Sequence, residues 1–236
     1  MLPTICILAG GLGQRLGERT ARTPKPLIEV AGEPFLLHQL RLLAEHGAER
    51  VVLCVGYLGE MIEERVGRTR YGIAIEYSYD SPELDGTLGA VRRALPLLGD
   101  RFLILYGDTY LRLDYGAALA GWIESDVPGL MTVLRNEGRW DTSNVVYADG
   151  RVLTYDKRNL TSDMHWIDYG LGGLRSDALG AVPKDEGDLA VLYHRLAQAG
   201  SLYGYVARNR FYEIGTPAGL AETDEFLRTI RPSTVQ

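Results

Sequence analysis

The alternation of short apolar runs with amphipathic segments in the first 130 residues is the feature that most restricts the fold of this chain. The apolar runs are almost continuous, which is typical of strands in a parallel sheet that is buried on both faces. The segments between these runs carry apolar residues at helical spacing, and they predict helices that cover the sheet. Strands are predicted at residues 4–9, 51–55, 73–77 and 101–106, and helices at residues 34–46, 58–66 and 89–98.

The pattern changes in the second part of the chain, where strand signals predominate. Strands are predicted at residues 130–135, 144–147, 152–156, 166–175 and 202–207, and helices at residues 188–199 and 217–229. The sequence ADG at residues 148–150 predicts a hairpin turn between two of these strands. We find no repeat or linker, and we therefore predict one α/β domain over residues 1–236, with a mainly parallel half (1–130) and a mixed half (131–236).

Composition excludes several classes of protein without selecting one. The apolar fraction of 46% and the charged fraction of 24% are ordinary for a globular protein, and the net charge of -6 argues against general nucleic-acid binding. Both cysteines, Cys6 and Cys54, lie in apolar runs and are expected to be buried and reduced. The sequence has no signal-peptide pattern and no run long enough for a membrane span. We therefore expect a cytoplasmic protein.

The first predicted strand ends in a cluster of glycines, Gly10, Gly11 and Gly13, which is followed by Arg15 and Lys25. Glycine permits close approach of the backbone to a ligand, and successive amides in such a turn bind anions. A tight turn without a ligand is the alternative for the glycines alone, but the two cations favour a polyphosphate. The turn lacks the Gly-Lys-Ser/Thr run of a P-loop and the third glycine of a dinucleotide fingerprint.

Two acidic residues and one lysine are further candidates for phosphate chemistry. Asp108 follows the buried strand at residues 101–106, where ligands of open α/β sheets collect, and a carboxylate there can hold Mg²⁺. Glu213 lies between a strand and a helix and could supply a second carboxylate, although capping a turn or a helix would explain either residue. Lys157 stands at the end of a predicted strand, and taken alone it is expected to be a solvated surface lysine.

Five short motifs follow one another along the chain. They are GGLGQRL with PKP at residues 10–16 and 24–26, GTLG at 86–89, GD at 107–108, DK at 156–157 and EIGTP at 213–217. In this order they resemble the sugar-1-phosphate nucleotidyltransferases, enzymes that build nucleotide sugars for uses such as polysaccharide biosynthesis. Within that family the chain resembles the short bacterial enzymes for heptose or hexose 1-phosphates, particularly the heptose-1-phosphate guanylyltransferase type.

The resemblance implies a Rossmann-like (GT-A-like), three-layer αβα sandwich, with a nucleotide-binding half (1–130) and a sugar-phosphate-binding half (131–236). It implies catalytic roles for Arg15, Lys25 and Asp108, and a Mg²⁺ site at Asp108 and Glu213. The nucleotide would be bound by Leu8, Ala9, Gly10, Gly11, Gly13, Ser81, Gly86, Thr87 and Asp108. The sugar phosphate would be bound by Trp140, Asn144, Asp156, Lys157, Tyr169 and Gly170. A sugar-phosphate oxygen would attack the α-phosphorus of the nucleotide, and pyrophosphate would leave.

The chain departs from the family pattern where substrate identity is decided. Glu213 replaces the usual Asp, and the segments at residues 139–144 and 168–170 differ from those of better-known members. We expect GTP and a heptose or manno-configured sugar 1-phosphate, with the base near residues 81–87. UTP or CTP specificity and a non-catalytic regulatory subunit are alternatives, whereas a nicotinamide-dependent oxidoreductase is disfavoured by Leu16 and by the missing strand-end acid. A homo-oligomer is possible.

Overall fold

The structure is a computed structural model that describes residues 1–11, 13–17, 20, 22–81 and 86–230. Leu12 of the glycine-rich motif and residues 82–85 of the segment expected near the base lie outside the described residues. In chain order the elements are β1 (Ile5–Leu8), β2 (Glu29–Val30), β3 (Glu33–Pro34), α1 (Phe35–Glu45), β4 (Arg50–Val55), α2 (Gly59–Val66), β5 (Thr69–Arg70), β6 (Ile73–Tyr79), α3 (Gly86–Leu98), β7 (Arg101–Tyr106), β8 (Thr109–Tyr110), α4 (Tyr115–Ser125), β9 (Gly129–Arg135), β10 (Val145–Ala148), β11 (Arg151–Tyr155), β12 (Trp166–Arg175), α5 (Leu189–Gln198), β13 (Leu202–Val206), β14 (Tyr212–Glu213) and α6 (Pro217–Ile230).

One ten-stranded sheet runs through both halves of the molecule in the order β10-β11-β13-β9-β12-β7-β1-β4-β6-β5. The strands β7, β1, β4 and β6 are parallel neighbours, as the near-continuous apolar runs predict. The strand β12 is antiparallel to both β7 and β9 and joins the parallel half to the mixed half. A pairing of Val145 with Trp166 also connects β10 to β12, so that the strands β9 to β13 curl into a ring.

Helices cover both faces of the sheet, because neighbouring residues of each central strand point to opposite sides. On β1, Ile5 and Ile7 are in one apolar core with α1, α2 and α4. Cys6 is in a second core with α3 and α5 on the other face. This arrangement confirms the predicted three-layer α/β architecture. A smaller third core packs α6 against residues of β8 and α1.

Both cysteines are free and buried, as expected, and their Sγ atoms are 3.4 Å apart in the second core. The hydrogen bond with Cys54 and burial raise the pKa of the Cys6 thiol well above its usual value. The Cys6 thiolate is therefore disfavoured, which makes this thiol less reactive than an exposed one.

The longer elements agree closely with the predicted ones, but the helix α4 and the two-residue strands β2, β3, β5, β8 and β14 were not predicted. The strand at residues 101–106 has the predicted bounds, whereas α3 begins at Gly86, three residues before the predicted start at 89. The helix α4 was not predicted, since Gly116 and Gly121 lower its helix propensity and small residues weaken its apolar stripe. Asp114 begins this helix by accepting a hydrogen bond from the N–H of Ala117 at 2.8 Å. Among the described helices, none combines the length and the apolar character needed to cross a membrane.

Candidate active site

A first cavity, with a volume of about 540 Å³, opens where the parallel strands β1, β4, β6 and β7 end. The carboxyl ends of parallel strands meet at one edge of a sheet, which is where ligands of open α/β folds bind. Most residues predicted to contact a nucleotide lie in its wall. They are Leu8, Ala9, Gly10, Gly11, Gly13, Gly86, Thr87 and Asp108, together with Arg15 and Lys25. Ser81 is not among the lining residues.

Asp80 is a wall residue of the first cavity that the sequence analysis did not identify. It follows β6, and its carboxylate lies against the glycines Gly10 and Gly56. A Cβ atom placed on Gly10 would stand 2.5 Å from Asp80 Oδ2, and one placed on Gly56 would stand 2.8 Å from the same oxygen. Two glycines that follow the neighbouring strands β1 and β4 therefore leave the room that this carboxylate occupies. Its place after a predicted strand was the signal that could have identified it.

A second cavity, with a volume of about 880 Å³, adjoins the first and lies in the mixed half. The residues that line both cavities are Arg15, Tyr106 and Asp108. Predicted sugar-phosphate residues in the second wall are Trp140, Asn144, Lys157, Tyr169 and Gly170. Glu213 lines the second cavity as well. The structure thus brings together groups that lie up to about two hundred residues apart in the sequence, from Arg15 to Glu213.

The boundary between the cavities is strongly charged. Lys25 Nζ donates a hydrogen bond to Asp108 Oδ2 at 2.5 Å, and the two side chains are only 11% and 28% exposed. A Cβ atom placed on Gly215 would stand 3.1 Å from Lys25 Nζ and 3.3 Å from Arg15 Nη2. Two cations and the carboxylates of Asp108 and Glu213 therefore converge near Gly215, so a phosphate bound here would meet two cationic groups beside two acidic ones.

The two predicted metal ligands lie close together, Glu213 on β14 and Asp108 in the turn directly before its partner strand β8. Glu213 in β14 pairs with Thr109 in β8, directly after Asp108, and the N–H of Ile214 donates to the Asp108 carbonyl at 2.9 Å. The Glu213 carboxylate accepts hydrogen bonds from the N–H of Gly215 and, at 2.8 Å, from the Thr216 hydroxyl. Two carboxylates suit Mg²⁺, which typically uses one or two of them with phosphate oxygens and water. Within the described ranges, no group of three or more His, Cys, Asp or Glu residues forms a protein-only metal site.

A buried glutamine supports the turn that carries Asp108. Gln39 of α1 is 3% exposed, and its Nε2 donates to the carbonyls of Tyr106 at 2.9 Å and Thr109 at 2.6 Å. These carbonyls flank Gly107 and Asp108, so one side-chain amide fixes both ends of the turn. The sequence shows Gln39 only as a polar residue in an apolar helix, which is a weak signal.

Asp168 lies in the wall of the second cavity, next to two residues that the sequence analysis assigned to the sugar phosphate. Its Oδ1 accepts a hydrogen bond from the N–H of Gly170 at 3.0 Å, and its Oδ2 accepts one from the Tyr155 hydroxyl at 3.3 Å. Burial raises the pKa of the Asp168 carboxyl, and the nearby Lys157 ammonium opposes that increase. A polar group of a ligand in this cavity would therefore meet a carboxyl group and an ammonium group together.

Asp156 has a different environment from the other predicted sugar-phosphate residues. Its carboxylate accepts hydrogen bonds from the N–H groups of Arg158 at 2.7 Å and Asn159 at 2.9 Å. These bonds lower the pKa of the Asp156 carboxyl to about 2. Asp156 is not among the residues that line either cavity, so its carboxylate is used within its own loop.

The outer rim of the second cavity is a stack of aromatic and cationic side chains. The Arg210 guanidinium carbon lies 4.3 Å from the centroid of the Trp140 ring and 4.6 Å from that of the Tyr212 ring. Arg210 also forms an ion pair of 2.7 Å with Glu222 of α6. Buried Asn136 holds the loop of Trp140, since its Oδ1 accepts the Trp140 N–H at 3.0 Å. This stack ties the loop before β10 to α6.

Comparison with known proteins gives consistent results. The family model described as "Nucleotidyl transferase" matches residues 5–144. N-acetylmuramate alpha-1-phosphate uridylyltransferase of Neisseria meningitidis is 41% identical over 117 residues, which are 48% of this chain and 49% of that protein. D-glycero-alpha-D-manno-heptose 1-phosphate guanylyltransferase of Aneurinibacillus thermoaerophilus is 31% identical over 160 residues, covering 66% of this chain and 68% of that protein. The chain thus spans about half the length of the Neisseria relative.

The solved structures show the same fold. HddC from Yersinia pseudotuberculosis, in its crystal structure complexed with GMP-PN, superposes with a TM-score of 0.77 at 24% identity. The superposition covers 96% of this chain and 100% of that chain. The likeness confirms the predicted Rossmann-like α/β fold.

Proposed function

This chain belongs to the nucleotidyl transferase family, and from that premise we propose that it joins a nucleoside triphosphate to a sugar 1-phosphate, releasing pyrophosphate and a nucleotide sugar. The observation that carries the proposal is the pair of adjoining cavities that share Arg15, Tyr106 and Asp108. One cavity has the glycine turn and cations that a triphosphate needs, and the other has the polar wall that a sugar needs. The shared wall is where the two phosphates would meet.

The reaction needs little covalent chemistry from the protein. A phosphate oxygen of the sugar 1-phosphate attacks the α-phosphorus, the bond from that phosphorus to the bridging β-phosphate oxygen breaks, and pyrophosphate leaves with the bonding electrons. The attacking oxygen is already anionic, so no general base is required. Catalysis is therefore alignment of the two phosphates and stabilisation of the charge on their oxygens. Arg15 and Lys25 would supply positive charge to the triphosphate, and Lys157 would bind the sugar phosphate.

Magnesium is part of the proposal. Asp108 and Glu213 would hold the ion, since the pairing of β14 with β8 brings Glu213 beside the Asp108 turn and both offer the hard oxygen ligands that Mg²⁺ prefers. When bound, the ion neutralises charge on phosphate oxygens. Lys25 holds Asp108 at 2.5 Å, which keeps this carboxylate at the boundary of the two cavities.

GTP is the nucleotide that we propose, and Asp80 supports it. A carboxylate accepts two hydrogen bonds side by side, and the guanine edge offers adjacent N1–H and N2–H₂ donors. Uracil presents one N–H between two carbonyl oxygens, which a carboxylate would repel. Uridine nucleotides remain the alternative, since the Neisseria relative is named as a uridylyltransferase.

For the sugar, we propose a heptose or manno-configured 1-phosphate. The support is the likeness to the guanylyltransferase of Aneurinibacillus thermoaerophilus, whose name specifies a manno-heptose. The volume of about 880 Å³ leaves room for a sugar larger than a hexose. A cytoplasmic location, where nucleoside triphosphates are made, and a role in polysaccharide biosynthesis belong to the same proposal.

The test is pyrophosphate release in a matrix of four nucleoside triphosphates and several sugar 1-phosphates with Mg²⁺. We expect the largest kcat/KM with GTP and a manno-configured heptose 1-phosphate. A clear preference for UTP would overturn the choice of base and leave the reaction class intact. Binding of nucleotide sugars without release from any pair would instead indicate a regulatory subunit.

A further inference from the structure

The strand β12 has a bulge opposite one residue of β9, Thr132. Asp168 pairs with Val133, and the next pair is Gly172 with Met131. Three residues of β12 at positions 169–171 therefore stand opposite Thr132 alone. Bulges of this kind redirect side chains and are frequent beside active sites.

Thr132 compensates for the hydrogen bonds that the bulge removes from the ladder. It is 0% exposed, and its hydroxyl donates to the Leu171 carbonyl at 2.8 Å. The same oxygen accepts a hydrogen bond from the Leu171 N–H at 3.2 Å. Both backbone groups of Leu171 are thus satisfied by one side chain in a buried position, where an unpaired polar group would be costly.

The bulge determines what the second cavity presents to a ligand. Asp168, Tyr169 and Gly170 all line that cavity, and Gly170 has a φ of 110°, a value suited to glycine. The Asp168 carboxylate accepts the Gly170 N–H at 3.0 Å, so the orientation of the acid depends on the path of the bulged backbone. Thr132 does not line either cavity and reaches a ligand only through this segment.

We propose that Thr132 is a positioning residue for the sugar 1-phosphate, because its hydroxyl fixes the bulge that orients Asp168 and Gly170 toward the second cavity. The inference rests on the proposed function, since it takes the second cavity as the sugar site. It predicts that loss of the hydroxyl weakens sugar binding and leaves nucleotide binding intact. A merely structural role would change stability without separating the two substrates.

The experiment compares Thr132→Val, which has the same shape without the hydroxyl, with Thr132→Ser, which keeps the hydroxyl. In Thr132→Val we expect KM for the sugar 1-phosphate to rise about tenfold, since two buried groups lose their partner and the wall shifts. KM for the nucleotide should stay within about twofold, and Thr132→Ser should restore the sugar KM. Leu130→Val, also in β9 and fully buried, is the matched control for lost core packing.

Calorimetric titration with the sugar 1-phosphate distinguishes a failure of the proposed function from a failure of the proposed role of Thr132. If the wild-type protein binds no sugar 1-phosphate, both the proposed function and the role of Thr132 fail. If the wild type binds and Thr132→Val binds equally well, only the role of Thr132 is overturned. Should Thr132→Val not fold, Thr132→Ser against Thr132→Cys replaces it, because a thiol is a poor donor of similar size. Equal sugar affinity of those two variants would also overturn the role.

Discussion

The two cavities differ in how the chain builds them. The first is formed where parallel strands end, and its lining residues include six glycines and two cations from one short stretch of sequence. The second is formed by a bulge, two loops and α6, and most of its lining residues are polar, charged or aromatic. A site made of strand ends holds groups that every nucleoside triphosphate shares. A site made of loops and an irregular strand can change its ligand without changing the sheet.

The variant with the largest expected effect is Asp108→Asn, since Asp108 belongs to both cavities. We expect kcat to fall by about 10²- to 10³-fold, because the variant loses charge beside Lys25 and a proposed metal ligand. The rate of pyrophosphate release at saturating concentrations of both substrates measures this kcat. Asp114→Asn, the same exchange at the N-cap residue that precedes α4, is the control. An unchanged kcat in Asp108→Asn would contradict a catalytic role for Asp108 in the wall that the two cavities share.

Asp80→Asn tests the first cavity alone. The amide replaces one of two carboxylate acceptors by a donor, so kcat/KM for GTP should fall by about 10- to 100-fold. KM for the sugar 1-phosphate should not change, because Asp80 does not line the second cavity. Competition between GTP and UTP measures the selectivity. The same ratio in variant and wild type would show that another group reads the base.

Gln39→Leu tests the support of the Asp108 turn. The Thr109 carbonyl loses the Gln39 amide and the Tyr106 carbonyl keeps only the Thr109 hydroxyl at 3.2 Å among its side-chain donors in the described residues, and we expect kcat to fall about tenfold with a higher Mg²⁺ requirement. The matched control is His38→Leu, because His38 is equally buried on α1 and bonds the Val30 carbonyl, away from the turn. Equal losses in the two variants would mean that general destabilisation accounts for the effect.

Asp156→Asn has the smallest expected effect, since the carboxylate is used by its own loop. Kinetic constants at neutral pH should stay within about twofold of the wild type. The folded pKa is about 2 and the ordinary value 3.8, so the stabilising contribution is present above 3.8 and is lost as pH falls toward 2. Melting temperatures of variant and wild type should therefore converge over that range. A large rise in the sugar 1-phosphate KM would instead support the role that the family resemblance implies.

The contrast between the two cavities also explains which features the sequence could predict. Strands and helices in the parallel half follow from local apolar patterns, and the glycine turn with Arg15 and Lys25 is contiguous enough to predict a phosphate site. Asp80 was missed because its position depends on Gly10 and Gly56, which follow two other strands. Thr132 could not be identified, since the bulge that it serves arises from a pairing of β9 with β12 that no local pattern reveals.

The ends of the ten-stranded sheet limit how copies of this chain could associate. At one end stands β5, which has two residues, and at the other β10 is tied back to β12 through Val145 and Trp166. A free strand edge is the usual template for adding a strand from a second molecule. Among the described strands, the two terminal ones have two and four residues, so neither is by itself a long template for pairing with a second molecule.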